Sequence, residues 1–109
     1  MLRTPTQRKK ICGSCPIAKV ADLVGDSYTL LIVRDLLLGP RRFGDLESSL
    51  TGISSRTLTK KLKTLEECGV IQREEFCEKP PRVLYSLTPK GLGLHDIAES
   101  MRKYGEKYL

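Results

Sequence analysis

Between Ser54 and Lys63 the sequence carries Arg56, Lys60, Lys61 and Lys63 and no acidic residue. Leu58, Leu62 and Leu65 recur through the same stretch at helical spacing. One face of the predicted helix is therefore apolar, and the opposite face carries Ser55, Arg56, Thr59, Lys60 and Lys63. Arg56 and Lys60 lie one turn apart, while Arg56, Thr59 and Lys63 follow one ridge. A solvated surface face ordinarily mixes charge signs. A face of one sign suits a polyanion, and the major groove of duplex DNA admits one α-helix, read mainly by its N-terminal residues. A guanidinium such as that of Arg56 can bond both acceptors of guanine at once. The Ser54, Ser55 and Thr59 hydroxyls suit phosphates or base edges. Lys60 and Lys63 suit phosphates, which give affinity without sequence information.

A second constellation is Cys12-Gly13-Ser14-Cys15, followed by Pro16. Proline at the first helical position puts Cys15 at the cap, facing unpaired amides and the positive end of the helix dipole. Lys9, Lys10 and Lys19 are near in sequence. Such surroundings favour a reactive thiol, so Cys15 is a candidate redox sensor and Cys12 a candidate resolving partner. The plainer reading is a small residue that simply packs. A thiol oxidoreductase is disfavoured, because redox CxxC motifs open a helix after a strand and no strand precedes this one. His95 is the only histidine, and there is no Gly-rich phosphate loop or paired-carboxylate constellation. An enzyme is not expected. Zinc held by Cys12, Cys15, Cys68 and Cys77 is disfavoured too, because the second pair spans a helix end and a strand rather than a knuckle. No metal or other cofactor is expected.

These residues need elements to position them. Residues 1–14 read as a basic N-terminal arm and 15–109 as one DNA-binding and dimerisation domain. Ile17, Val20, Ala21 and Val24 form an amphipathic helix that Gly25 ends. Asp26 or Ser27 caps a second helix, about Tyr28 to Leu38, apolar nearly all round and so central. After Gly39-Pro40, Arg41-Arg42-Phe43 reads as a stub of strand. Phe43, Leu46 and Leu50 share a third helix, Gly52 breaks it, and Ser54 caps the basic helix, which ends at Gly69. Val70 to Cys77 and Val83 to Leu87 read as strands. Glu78-Lys79-Pro80-Pro81-Arg82 turns between them. Thr88-Pro89 opens a last helix running toward Tyr108. The order predicts a mainly α fold with a small β-hairpin: a winged helix-turn-helix. Arg41 and Arg42 are placed to reach a DNA backbone, and Lys79 and Arg82 to reach an adjacent minor groove or its phosphates.

The bulk properties agree. The 109 residues carry a net charge of +6, with 29% charged and 39% apolar residues, a globular balance that favours a polyanionic partner. No apolar run approaches the roughly 20 residues of a membrane span, and none follows the N-terminal cations as in a signal peptide. A cytoplasmic protein with reduced thiols is expected, with no membrane partner.

The Cys-Pro start, "LLIVRDLLLGPRRFGDL", "GISSRTLTKKLKTLEECGVI" and "PPRVLYSLTPKG", in that order, resemble the HxlR family of winged-helix transcriptional regulators from Cys15 to Tyr104. The resemblance implies a bacterial or archaeal cytosolic homodimer on operator DNA. Its recognition helix would be Ser54 to Cys68 and its wing Glu78 to Arg82, with Pro16 to Val24 and the final helix forming the dimer. It also implies that the matching cysteine senses reactive species in some members. Tyr28 stands where members commonly have Trp, and Cys12 is not part of the common pattern. The residues themselves favour a dimer on a near-palindromic site, since one winged helix reads only a few base pairs. Leu94, Ile97, Ala98, Met101 and Tyr104 form a stripe on the last helix that a partner chain would cover. A winged helix serving protein contacts or RNA is the remaining alternative, but there is little aromatic surface for base stacking. The sequence names no small-molecule effector.

Overall fold

The structure, a computed structural model, describes residues 15–109. The arm at 1–14, with Cys12, lies outside the described residues. The chain divides into two compact units, one ending at Leu30 and the other running from Leu31 to Leu109.

In the first unit, helix α1 spans Pro16–Val24, with Cys15 extended at its N-cap and Pro16 opening the first turn. Gly25 follows, where a Cβ would fall 2.2 Å from the Ala21 carbonyl oxygen. Helix α2, Ser27–Leu37, begins here and continues into the second unit. Of the two expected caps, Asp26 does the work. The Thr29 N–H donates to its Oδ1 at 2.9 Å and the Thr29 hydroxyl to its Oδ2 at 2.7 Å.

In the second unit, α2 buries Ile32, Val33 and Leu36. It stops one residue short of the expected Leu38. Leu38 lies just past its end and is 77% exposed. Gly39 then takes φ 138°, a left-handed backbone that glycine adopts without steric cost. The expected strand stub is a single bridge. The Arg41 N–H donates to the Tyr85 carbonyl at 3.0 Å, and the Tyr85 N–H donates back at 2.8 Å. Helix α3 covers Phe43–Ser49 and α4 covers Ser55–Glu67. Strands β1, Ile71–Phe76, and β2, Arg82–Leu87, pair antiparallel, with Ile71 opposite Leu87 and Phe76 opposite Arg82.

Beyond α2, the core of this unit is built from Leu46, Leu50, Ile53, Leu58, Leu62, Leu65, Val70, Ile71, Leu87 and Leu94, all buried. Leu58, Leu62 and Leu65 are each at most 2% exposed, and burying each contributes about 1.5–3 kcal/mol. That spacing is what holds α4 in one rotation, with its other face outward.

The last predicted helix is two. Helix α5 is short, Pro89–Leu92, and α6 runs His95–Tyr108. Thr88 caps α5 by accepting from the Gly91 N–H at 3.2 Å. Gly93 and Leu94 separate the two helices, and Leu94 is buried rather than part of an outward stripe.

Candidate nucleic-acid interface

Ser54 forms the N-cap of α4. Its Oγ accepts from the Thr57 N–H at 3.1 Å and donates to Thr57 Oγ1 at 2.9 Å. That arrangement satisfies an otherwise orphaned amide and uses the hydroxyl locally. Ser55 is also engaged: its Oγ donates to Glu47 Oε2 of α3 at 2.5 Å. Arg56, Thr59, Lys60 and Lys63 are exposed, on the side opposite the buried leucines. Among the described residues, Arg56, Lys60 and Lys63 form no ion pair. No described carboxylate is paired with any of the three.

The far end of α4 is tied by side chains as well. The Lys90 ammonium donates to the Cys68 carbonyl at 2.7 Å. The Thr88 hydroxyl lies 2.5 Å from the Gly69 carbonyl oxygen and 3.1 Å from that of Val70. The Thr88 N–H also donates to Val70, at 3.0 Å. The Lys90 cation thus meets the C-cap carbonyl at the negative dipole end of the helix, and the two Thr88 donors meet the carbonyls of the residues that follow it. Gly69 supplies the left-handed turn there, at φ 76°.

The outlying cations divide. Arg42 precedes α3, with its backbone N–H donating to Asp45 Oδ2 at 3.2 Å, and its side chain is exposed. Arg41 is half-buried and its Nη1 donates to the Pro40 carbonyl at 3.0 Å. Lys79 is exposed at the tip of the wing. Arg82 is not at the tip. It is the first residue of β2, paired with Glu78 at 3.1 Å and stacked 4.3 Å from the centre of the Phe76 ring. Strand pairing with Phe76 draws it back along the hairpin, so it braces the wing.

Spacing along the chain did not reveal Glu47, Thr88 or Lys90. Glu47 meets Ser55 across the turn between two helices, and Lys90 reaches 22 residues back. The one available signal was Thr88-Pro89 as a helix cap, which the structure shows to be also a tie to α4.

The thiols are separate. Cys15, at the α1 N-cap, is exposed, and Cys68 and Cys77 are free. Cys12 lies outside the described residues. Among the described residues, no three metal-ligating side chains converge, and no helix is long and apolar enough to cross a membrane.

Helix α6 contributes no buried residue. Met101, Tyr104 and Tyr108 are 50%, 60% and 61% exposed. A shallow groove is lined by Asp96, Ile97, Ser100, Met101 and Tyr104. Arg102 sits between Glu99 at 2.9 Å and Glu106 at 2.6 Å. Its guanidinium holds the Glu99 carboxyl below the usual carboxylate range.

Residues 23–109 match the model of the HxlR-like helix-turn-helix family. The chain is 42% identical over 95 residues to sll1512, an uncharacterised helix-turn-helix transcriptional regulator of Synechocystis, covering 87% of this chain and 70% of that one. A protein of Porphyromonas gingivalis W83 assigned to the MarR family of transcriptional regulators is similar in structure, with a TM-score of 0.83 and 35% identity over 88% of this chain and 94% of that one. The oxidised form of the redox regulator HypR is similar too, with a TM-score of 0.81 and 32% identity over 87% and 98% of the two chains.

Proposed function

The chain belongs to the HxlR-like helix-turn-helix family and is a winged helix-turn-helix transcriptional regulator rather than an enzyme; from that premise we propose that it acts in the cytoplasm as a homodimer on a near-palindromic operator. The observation that carries this is the cationic row Arg56, Lys60 and Lys63, free of ion pairs among the described residues, on a helix locked in rotation by Leu58, Leu62 and Leu65. Helix α4 enters the major groove. Arg56 and Thr59 face base edges, and Lys60 and Lys63 meet phosphates. Arg42 contacts the backbone beside α3, Arg41 supports it, and Lys79 reaches the flanking strand from the wing. Arg82 keeps the wing in shape. Selection of random duplexes by the purified protein, followed by sequencing, tests this. A two-fold consensus is expected, and enrichment of no sequence overturns the reading.

The apolar side of α6 supports the dimer. Exposed Met101, Tyr104 and Tyr108 form a continuous patch at helical spacing. Ile17 of α1 is 80% exposed, a second apolar site that a partner chain could cover. A dimer sets two recognition helices about one DNA turn, 34 Å, apart. Met101→Glu combined with Tyr104→Glu gives a folded monomer by sedimentation and weakens operator binding at least about tenfold, because each half-site must then bind alone. A variant that stays dimeric places the interface elsewhere.

A redox-responsive reading is favoured by one further observation, the exposed Cys15 at a helix cap, in a chain similar to the redox regulator HypR. Peroxide converts the Cys15 thiol to a sulfenic acid and water. The Cys12 thiol then attacks that sulfur, leaving a disulfide and a second water. Peroxide titration should reduce operator binding by the parent and leave Cys15→Ser unaffected. An equal response from both removes Cys15 from any sensing role.

A further inference from the structure

The 2.5 Å contact between Ser55 Oγ and Glu47 Oε2 occurs at the end of α4 that is read most closely in a groove-docked helix. A carboxylate at neutral pH only accepts hydrogen bonds, so the Ser55 hydroxyl hydrogen is committed to it. What Ser55 offers outward is lone pairs. Phosphate oxygens are acceptors as well, so a serine held this way cannot serve a phosphate. In the major groove, the edges that donate are the exocyclic amines of cytosine and adenine.

We propose that Glu47 is a specificity-determining residue: it positions Ser55 as an acceptor and requires an exocyclic amine at one base of each half-site. This rests on the docking of α4 in the major groove. Glu47 acts in two ways. It fixes the Ser55 hydroxyl across the turn between α3 and α4. It also puts a negative charge beside the cationic row, which lowers affinity for every duplex while penalising bases that present only acceptors there. Carboxylates near a helix N-terminus are favoured by the dipole, so the arrangement is stable without DNA.

The test is random-duplex selection with the parent, Ser55→Ala, Glu47→Ala and Glu47→Gln, alongside thermal melting and affinity for a random duplex. The parent is expected to prefer cytosine or adenine at one position per half-site. Ser55→Ala and Glu47→Ala lose that preference and keep the rest of the consensus. Glu47→Gln retains an acceptor for Ser55, so it keeps the preference and binds random duplex about fivefold more tightly through loss of one repulsive charge per subunit. If Glu47→Ala does not fold, Glu47→Gln and Ser55→Ala decide. An unchanged consensus in Ser55→Ala, or unchanged random-duplex affinity in Glu47→Gln, overturns the assignment of Glu47. Absence of any consensus in the parent overturns instead the docking on which it rests.

Discussion

Gly91→Ala destabilises the protein by about 3 kcal/mol, lowering the melting temperature by roughly 12–24 °C. A Cβ at this position would lie 2.1 Å from the Val70 carbonyl oxygen and 2.9 Å from Leu87 Cδ2. The first neighbour is backbone and cannot rotate aside. Val70 is fully buried, and its carbonyl accepts from both the N–H and the hydroxyl of Thr88. Making room for the methyl group therefore pushes α5 off the end of α4 and weakens the Thr88 and Lys90 ties to the carbonyls there. Operator affinity should fall together with stability, since the same ties hold the recognition helix. Gly44→Ala is the control. Nothing lies within 4 Å of its would-be Cβ, and its site in α3 is exposed. It should be neutral or stabilising by up to about 1 kcal/mol. Calorimetry of the two variants checks the pair, and a Gly91→Ala melting point within a few degrees of the parent would show that the α5 turn can move freely.

The parts of this molecule encoded in short-range spacing are legible in the sequence. Leu58, Leu62 and Leu65 fix the buried face of α4, so the outward position of Arg56, Thr59, Lys60 and Lys63 followed from helical geometry alone. The caps at Ser54 and Thr88 and the turn at Gly69 follow from side-chain chemistry and φ preference in the same way. What the spacing does not carry is where elements end and which distant residues they meet. Leu94 reads as part of an amphipathic stripe, yet the break at Gly93 turns it inward. Leu38 extends an apolar run but lies beyond the last turn of α2, in solvent. Arg82 reads as part of a charged tip, yet strand register places it opposite Phe76. The Glu47–Ser55 and Lys90–Cys68 contacts join segments whose separation follows no helix or strand period. They appear only when the elements are packed.

The remaining large effect separates base reading from backbone grip. Arg56→Ala should cost about 1–3 kcal/mol per half-site and broaden the consensus at one position in each. Arg56→Lys should do nearly the same, because an ammonium keeps the charge but not the paired donors that match guanine. Lys63→Ala should behave differently. It weakens all duplexes alike, and in a dimer that loses one phosphate contact per subunit the slope of log affinity against log salt becomes shallower by about two. Lys79→Ala at the wing should resemble Lys63→Ala, with the preferred sequence intact. The unpaired state of Arg56 and Lys63 makes the comparison clean, since neither substitution strands a buried acid or breaks an ion pair among the described residues. Fluorescence anisotropy across a salt series, with the selected operator and a scrambled duplex, distinguishes the two classes. If Arg56→Ala and Lys63→Ala lower both affinities by the same factor, Arg56 grips phosphate and α4 is rotated in the groove from the position its exposed face implies.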